Sequence, residues 1–141
     1  VAVAGPDGDQ QTNTPAIDGP GLHAPLAFPL ATIAVASSLV APGATADFAL
    51  AGEPGALCLP LLALTQSNGF ALPGVLGLFT VGPAGIVPLA PVGLDAGGTG
   101  AAALAVPPSP SLAGTVVHAQ SLSFGPGGWI SVSGPAAFAV R

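Results

Sequence analysis

Glycine and proline interrupt this chain so often that no helix of ordinary length fits between them. The 141 residues include 21 glycines and 17 prolines, a proportion that would indicate disorder in a polar chain. However, 50% of the residues are hydrophobic, which is enough to build one buried core. Short apolar segments separated by turns are typical of all-β proteins. We therefore expect an all-β fold, a two-sheet antiparallel β-sandwich (Ig-like or jelly-roll-like) of about eight or nine strands.

The most apolar run in the chain is ALCLPLLALT, residues 56–65. It is too short to span a membrane as a helix, which takes about 20 residues. It therefore predicts a strand buried on both faces. Pro60 lies inside the run and has no N–H to give to a ladder, so one side of this strand must be an edge, a bulge or an interrupted pairing.

Four other segments carry clear local signals. Residues 44–51 alternate apolar and polar side chains and predict a half-buried strand. Residues 115–124 predict a second long strand. The sequence QSNG at 66–69 predicts a turn. Residues 107–114 predict one helical turn, with a serine cap and a proline at the first position.

Charge is nearly absent from the chain. Charged residues make up 5% of it, compared with about 25% in an ordinary soluble domain. Lysine is missing, and Arg141 is the one cation. No basic patch exists to neutralise phosphates, so nucleic acid and anionic membrane surfaces are excluded as partners. An almost uncharged surface is instead expected to be covered by another molecule.

The first 21 residues look like an arm and a linker in front of a sandwich domain at 22–141. Val1, Ala2, Val3 and Ala4 begin the apolar segment VAVAG, and the one polar stretch of the chain follows it. So short a strand is not stable alone, so we expect it to add to a sheet of its own or a neighbouring subunit. The alternative is a frayed terminus. A first residue other than Met favours removal of a leader and export.

Few side chains offer reaction chemistry. No nucleophile motif accompanies His23 or His118, and we expect both to be hydrogen-bonded structural residues. No catalytic residue, cofactor or metal site is predicted, and the chain is not expected to be an enzyme. Asp7 and Asp9 lack EF-hand spacing, which favours a solvated linker but leaves calcium binding open.

Two features bear on carbohydrate. Thr12 and Thr14 lie beside Pro15 in the polar stretch and hint at O-linked glycan. Trp129 follows a glycine-rich loop, where an exposed ring could stack on a sugar. A single tryptophan without polar neighbours in sequence favours a core or interface position instead.

The order of the segments after residue 41 resembles a known group of proteins. The segments are ATADFALAGEPGA leading into LCLPLLAL, then LDAGGTGAAALAVPPSPSLAG, TVVHAQSLSF and WISVSGPAAFAV. This series resembles the secreted β-sandwich modules of planctomycete proteins, which are typically attached at the C-terminal end of larger exported polypeptides. The resemblance implies an extracellular sandwich and transfers no catalytic residues. The arm at the start of this chain extends beyond the usual module.

These observations favour an extracellular or cell-surface structural subunit. We expect it to assemble with copies of itself into a filament or surface polymer by donating its N-terminal strand to the next subunit. The predicted acceptor groove surrounds the apolar run. Its residues are Leu57, Leu59, Leu61, Leu62 and Leu64. The alternative is a monomeric extracellular module that binds cell-surface polysaccharide, and neither hypothesis involves membrane insertion.

Overall fold

A computed structural model describes residues 30–141. The predicted donor strand, Val1 to Ala4, therefore lies outside the described residues. The same holds for other residues singled out above, namely Asp7, Asp9, Thr12, Thr14 and His23.

The described chain is nearly all β, which confirms the all-β part of the predicted fold class. It contains thirteen strands and one 3-10 helix, Pro110–Leu112. The expected count of eight or nine strands is wrong, because the chain also forms several strands of only two residues and a strand at Gln66–Phe70, where a turn was expected. The strands are β1 (Thr32–Val35), β2 (Leu39–Val40), β3 (Thr45–Ala51), β4 (Leu57–Ala63), β5 (Gln66–Phe70), β6 (Val75–Leu76), β7 (Phe79–Val81), β8 (Val87–Pro88), β9 (Val92–Gly93), β10 (Thr99–Ala105), β11 (Val116–Phe124), β12 (Ile130–Val132) and β13 (Ala136–Val140).

The strands form three sheets. The β3 sheet has the order β1-β3-β10. The β11 sheet has eight strands: β13 and β12 pair with one side of β11, β4 pairs with its other side, and the short strands β2, β6, β8 and β9 lie farther out. The third sheet contains only β5 and β7. Two pairings, β12–β6 and β13–β2, are parallel, so the expectation of purely antiparallel strands is wrong for these two outer strands.

The main core contains buried residues from both the β3 sheet and the β11 sheet. On β3, Ala46, Phe48 and Leu50 are buried and the residues between them are exposed, as the alternation predicted. Phe48 packs edge-on against Phe138 of β13, with ring centroids 6.0 Å apart and an interplanar angle of 61°. Such a geometry is favoured by the quadrupoles of the two rings.

Strand β4 is buried on both faces, which confirms the prediction made from its apolar run. Cys58 and Leu62 point into the main core. Successive side chains of a strand point to opposite faces, so Leu61 and Ala63 join a second apolar cluster. That cluster also contains Phe79 and Val81 of β7, and it explains why β4 needs no polar face.

The two loop predictions had opposite outcomes. Residues 66–69 form most of β5 instead of the predicted turn, because they pair with β7 through a bulged register. Phe70 at the end of β5 stacks on Phe79 with centroids 5.4 Å apart. The predicted helical turn is confirmed as the 3-10 helix with Pro110 at its start, but the side chain of Ser109 at the N-cap position makes no capping hydrogen bond. Among the described residues no helix is long and apolar enough to cross a membrane.

Candidate assembly site

Strand β4, the predicted acceptor, is paired on both sides by its own chain. β11 pairs with it along one side, from Leu57 to Ala63. β8 and β9 pair with the other side and leave a gap between residues 88 and 92. The Leu89 N–H donates to the Pro60 carbonyl at 2.9 Å, so the proline's missing N–H faces this gap. The interruption predicted from Pro60 is therefore confirmed, but β4 is not a free edge.

The five leucines of the predicted acceptor groove do not line one surface. Leu62 points into the main core, whereas Leu59 and Leu61 belong to the second cluster. Leu57 and Leu64 are 48% and 66% exposed. The alternation of side chains along a strand separates them in this way. Only Leu62 and Leu64 line an open groove.

The longest free edge in the described structure belongs to β10. Its seven residues pair with β3 on one side, and no described strand pairs with the other. Val106 N–H donates to the Ala44 carbonyl and Gly52 N–H to the Gly98 carbonyl, which fixes the even-numbered residues of β10 as those bonded to β3.

The backbone N–H and C=O groups of Ala101, Ala103 and Ala105 therefore point away from β3. Their side chains are exposed. The side chains of Val92 and Leu94 lie next to Gly100 at the start of β10, and the remainder of the edge is open within residues 30–141. Neither a charged residue nor a proline protects β10, although such residues normally prevent edge strands from pairing with other chains.

An apolar groove lies between β10 and the outer part of the β11 sheet. It has a volume of about 280 Å³. It runs from Leu104 on β10 to Val87 on β8. Its full lining is Leu62, Ala63, Leu64, Gly85, Val87, Leu104 and Val117. A second apolar groove of about 230 Å³ shares Leu64, Leu104 and Val117 with it and continues to Leu112 of the 3-10 helix.

The turn that leads into β10 is held by Asp95. Its Oδ1 accepts hydrogen bonds from the N–H groups of Gly97 and Thr99, both at 2.9 Å, and its Oδ2 accepts one from the Thr99 hydroxyl at 2.9 Å. The bonds donated by Thr99 are the main reason that the pKa of Asp95 is lowered below its ordinary value. Asp95 thus holds the turn that precedes β10, which begins at Thr99.

A second polar feature, the Gln120 side chain, connects β11 to β7 inside the protein. It is fully buried. Its Oε1 accepts from the N–H groups of Thr80 and Val81 at 2.7 and 3.0 Å. Its Nε2 donates to the carbonyls of Leu78 and Ser133 at 2.9 and 2.7 Å. All four hydrogen-bonding positions of the amide are used, which is the pattern of a structural residue.

His118 is the one histidine among the described residues, and it lies on β11. Its Nδ1 is buried without a hydrogen-bond partner, so the expectation of a hydrogen-bonded histidine is wrong for this atom. Cys58 is buried, and its thiol donates to Ser123 Oγ at 3.6 Å. Within residues 30–141 no three His, Cys, Asp or Glu side chains come together as metal ligands.

Trp129 lies at the surface, with 53% of its area exposed. Of the two positions expected, core or interface, this excludes the core and leaves the interface. The edge of its indole ring lies next to Gly127, whose N–H donates to Glu53 Oε2 at 3.3 Å. An exposed ring therefore stands near a carboxylate. Sequence alone did not show this pairing, because Glu53 and Trp129 are far apart in the chain.

Comparisons with known proteins give weak similarities only. No family model matches the chain, and no curated protein matches it. Among solved structures it is similar to the sporulation control protein Spo0M of Bacillus subtilis, with 10% identity, a TM-score of 0.43, and coverage of 82% of this chain and 50% of that one. It is also similar to the alkylpurine DNA glycosylase AlkC of Pseudomonas fluorescens bound to DNA containing an abasic site analog, with 16% identity, a TM-score of 0.41, and coverage of 86% and 33%.

The chain thus spans half or less of the length of these two structures, and likeness at this level carries no argument about function. The resemblance to planctomycete modules stays a prediction.

Proposed function

We propose that this protein is an extracellular structural subunit that assembles with copies of itself into a filament or surface polymer. The N-terminal strand of one subunit, Val1 to Ala4, adds to a sheet of the next subunit. Strand addition obtains its affinity from main-chain hydrogen bonds and its specificity from alternate side chains in pockets. No catalytic residues are assigned.

The observation that carries this proposal is the free edge of β10. A seven-residue strand with no charge, no proline and an unpaired side is a template for another strand. The described body holds only Asp47, Glu53, Asp95 and Arg141 as charged residues, so little on its surface opposes association. An isolated soluble domain normally carries charge for that purpose.

The arrangement of the sheets supports the same proposal. We propose that the β3 sheet and the β11 sheet are the two layers of a sandwich, since both contribute residues to one buried core. The β3 sheet has three strands and the β11 sheet has eight. The smaller layer would gain a fourth strand from outside, which would cover core residues that are now accessible through the grooves.

Deletion of residues 1–5 tests the proposal in the full chain. We expect the wild type to form ordered polymers in electron micrographs, and the deletion variant to remain as folded subunits of low mass or to aggregate without order. Removal of residues 10–14 is the matched control, since it shortens the chain equally and leaves the arm intact. Ordered polymers from the arm deletion, or a stable wild-type monomer of 13.3 kDa, would contradict the proposal.

A second candidate function is binding of cell-surface polysaccharide by a monomer. The exposed Trp129 ring near the Glu53 carboxylate favours it, because aromatic faces stack on sugars while nearby acceptors bind hydroxyl groups. The test is co-sedimentation with insoluble polysaccharides of the wild type and of Trp129→Ala. Phe124→Ala, at another exposed ring, serves as the control. Binding that is lost only in Trp129→Ala would support this function.

A further inference from the structure

We propose that the free edge of β10 is the acceptor for the arm of the next copy, with Val1 and Val3 inserted into the groove beneath Leu104. This inference rests on the proposed function and makes it specific. It moves the acceptor from β4, the most apolar strand, to a strand made mainly of alanine.

The backbone of β10 offers the hydrogen bonds that a donated strand needs. Ala101, Ala103 and Ala105 direct their N–H and C=O groups away from β3, and the described chain supplies no strand to meet them. These six groups alternate at the spacing of a ladder, so an added strand can pair with each of them. Their alanine side chains stand on the outer face and do not obstruct an approach along the edge.

Other free edges in the described structure are shorter or irregular. β1 has four residues and β5 has five with a bulged register. The outermost strands of the β11 sheet, β2 and β6, have two residues each. β10 alone combines a long regular edge with an apolar groove along it.

The groove fits the alternation of the arm. A strand added beside β10 points every second side chain in the same direction as Leu104, toward Leu64 and Val87. In VAVAG these side chains are Val1 and Val3, while Ala2 and Ala4 point outward beside the exposed alanines. The groove volume of about 280 Å³ is nearly twice that of an engineered cavity of about 150 Å³ that binds benzene. It therefore has room for two branched side chains.

The entry of the chain into the domain at Leu30 and the length of the segment before it allow such an arm to reach another copy. Leu30 leads into β1, which lies at the opposite edge of the β3 sheet from β10. About 25 residues separate the arm from Leu30, with a maximum reach of about 80 Å, whereas a domain of this size has a radius of gyration of about 13 Å. In this proposal the arm leaves its own subunit near β1, and the arm of another subunit binds next to β10. Such head-to-tail contacts form an open filament unless the rotation between subunits closes a ring.

Disulfide trapping tests the acceptor strand whatever register the arm adopts. Ala2→Cys is combined in turn with Ala101→Cys, Ala103→Cys and Ala105→Cys, and assembled protein is oxidised and run on a denaturing gel. A disulfide requires Cα atoms about 4.4–6.8 Å apart, so only residues on adjacent strands react. Cys58 is buried and stays in place. Ala49→Cys is the control, because Ala49 is exposed opposite Ala101 on β3 but lies one strand farther from the arm.

We expect a ladder of covalent multimers with at least one β10 position and none with Ala49→Cys. If the wild type polymerises but no β10 position gives a ladder, β10 is not the acceptor and the proposed function survives. A cross-link confined to single chains would show that the arm closes on its own subunit, which overturns the transfer between copies. A wild type that never polymerises overturns both proposals.

Ala103→Pro gives an independent readout. Its N–H points away from β3, so proline removes an acceptor-edge hydrogen bond and leaves the β3–β10 ladder intact. We expect loss of polymer with an unchanged circular dichroism spectrum and urea midpoint. Polymers of normal length from a folded Ala103→Pro would count against β10.

Discussion

Gln120→Leu is the sharpest test of how the β5–β7 sheet is attached to the rest of the protein. β7 does not join β11 through a ladder of backbone bonds. The buried amide of Gln120 instead bonds the N–H groups of Thr80 and Val81 and the carbonyls of Leu78 and Ser133. Leucine has a similar volume but offers none of these bonds, so all four backbone groups lose a partner at once.

The expected loss follows from these four bonds. At about 1 kcal/mol each in net terms they contribute about 4 kcal/mol, and a buried group left without a partner costs about 1–3 kcal/mol. Relaxation of β7 and entry of water would recover part of this. We therefore expect the free energy of unfolding to fall by at least about 3 kcal/mol, a large fraction of the roughly 5–15 kcal/mol available to a domain.

Urea unfolding followed by circular dichroism measures this loss, and hydrogen exchange of the Val81 amide reports whether β7 opens locally. Gln66→Leu is the matched control: Gln66 lies on β5 and is exposed, so its replacement should change stability by less than about 0.5 kcal/mol.

Gln120→Glu adds a second check, because an acidic side chain facing two carbonyls should be tolerated better as the pH falls and the group is protonated. A Gln120→Leu variant that loses less than about 1 kcal/mol, with unchanged Val81 exchange, would refute the role of Gln120 as the connection.

Three further predictions concern single features. The carboxylate of Asp95 is stabilised in the fold and its pKa is lowered. Its contribution to stability is therefore present above the unfolded pKa and is lost as the pH falls through the folded pKa. A carboxyl titration by NMR should give a midpoint below the ordinary value, and Asp95→Asn should remove this part of the acid dependence of the urea midpoint. Phe48→Ala should cost about 3–5 kcal/mol in urea unfolding because Phe48 is buried against Phe138, whereas a cost as small as that of exposed Phe124→Ala would contradict the placement of the core. Gly77→Ala should destabilise the protein more than Gly74→Ala. Both glycines have positive φ, but only at Gly77 would a new Cβ approach the Val132 carbonyl oxygen, at 2.7 Å. Equal urea midpoints for the two variants would rule out this close contact.

The local parts of the fold could be predicted because their signals lie in adjacent residues. Alternation indicated the buried face of β3, and the apolar run indicated that β4 is buried on both faces. The position of Pro60 even predicted that one side of β4 would be interrupted. Each of these statements depends on side chains within one strand and not on which strands lie beside it.

Predictions that depended on pairing partners failed more often. QSNG looks like a turn by composition, but pairing with β7 makes it a strand, since tertiary contacts override weak local preference. Gln120 lies on β11, and no pattern in the sequence indicated the four backbone groups that it bonds. The surface position of Trp129 beside Glu53 likewise depends on two loops that meet only in the folded chain.

The strand that we propose as the acceptor, β10, differs from the most apolar strand in which of its features are exposed. The most apolar strand, β4, is apolar because the chain covers it on both faces and pairs it along both sides. A strand that awaits a partner must stay soluble until the partner arrives, so its side chains are small and its exposed feature is the backbone. Alanine at 101, 103 and 105 meets this requirement, whereas leucine at those positions would favour disordered association through side chains. In a chain with almost no charge on any edge, a free edge is therefore distinguished by its length, its register and the groove along it.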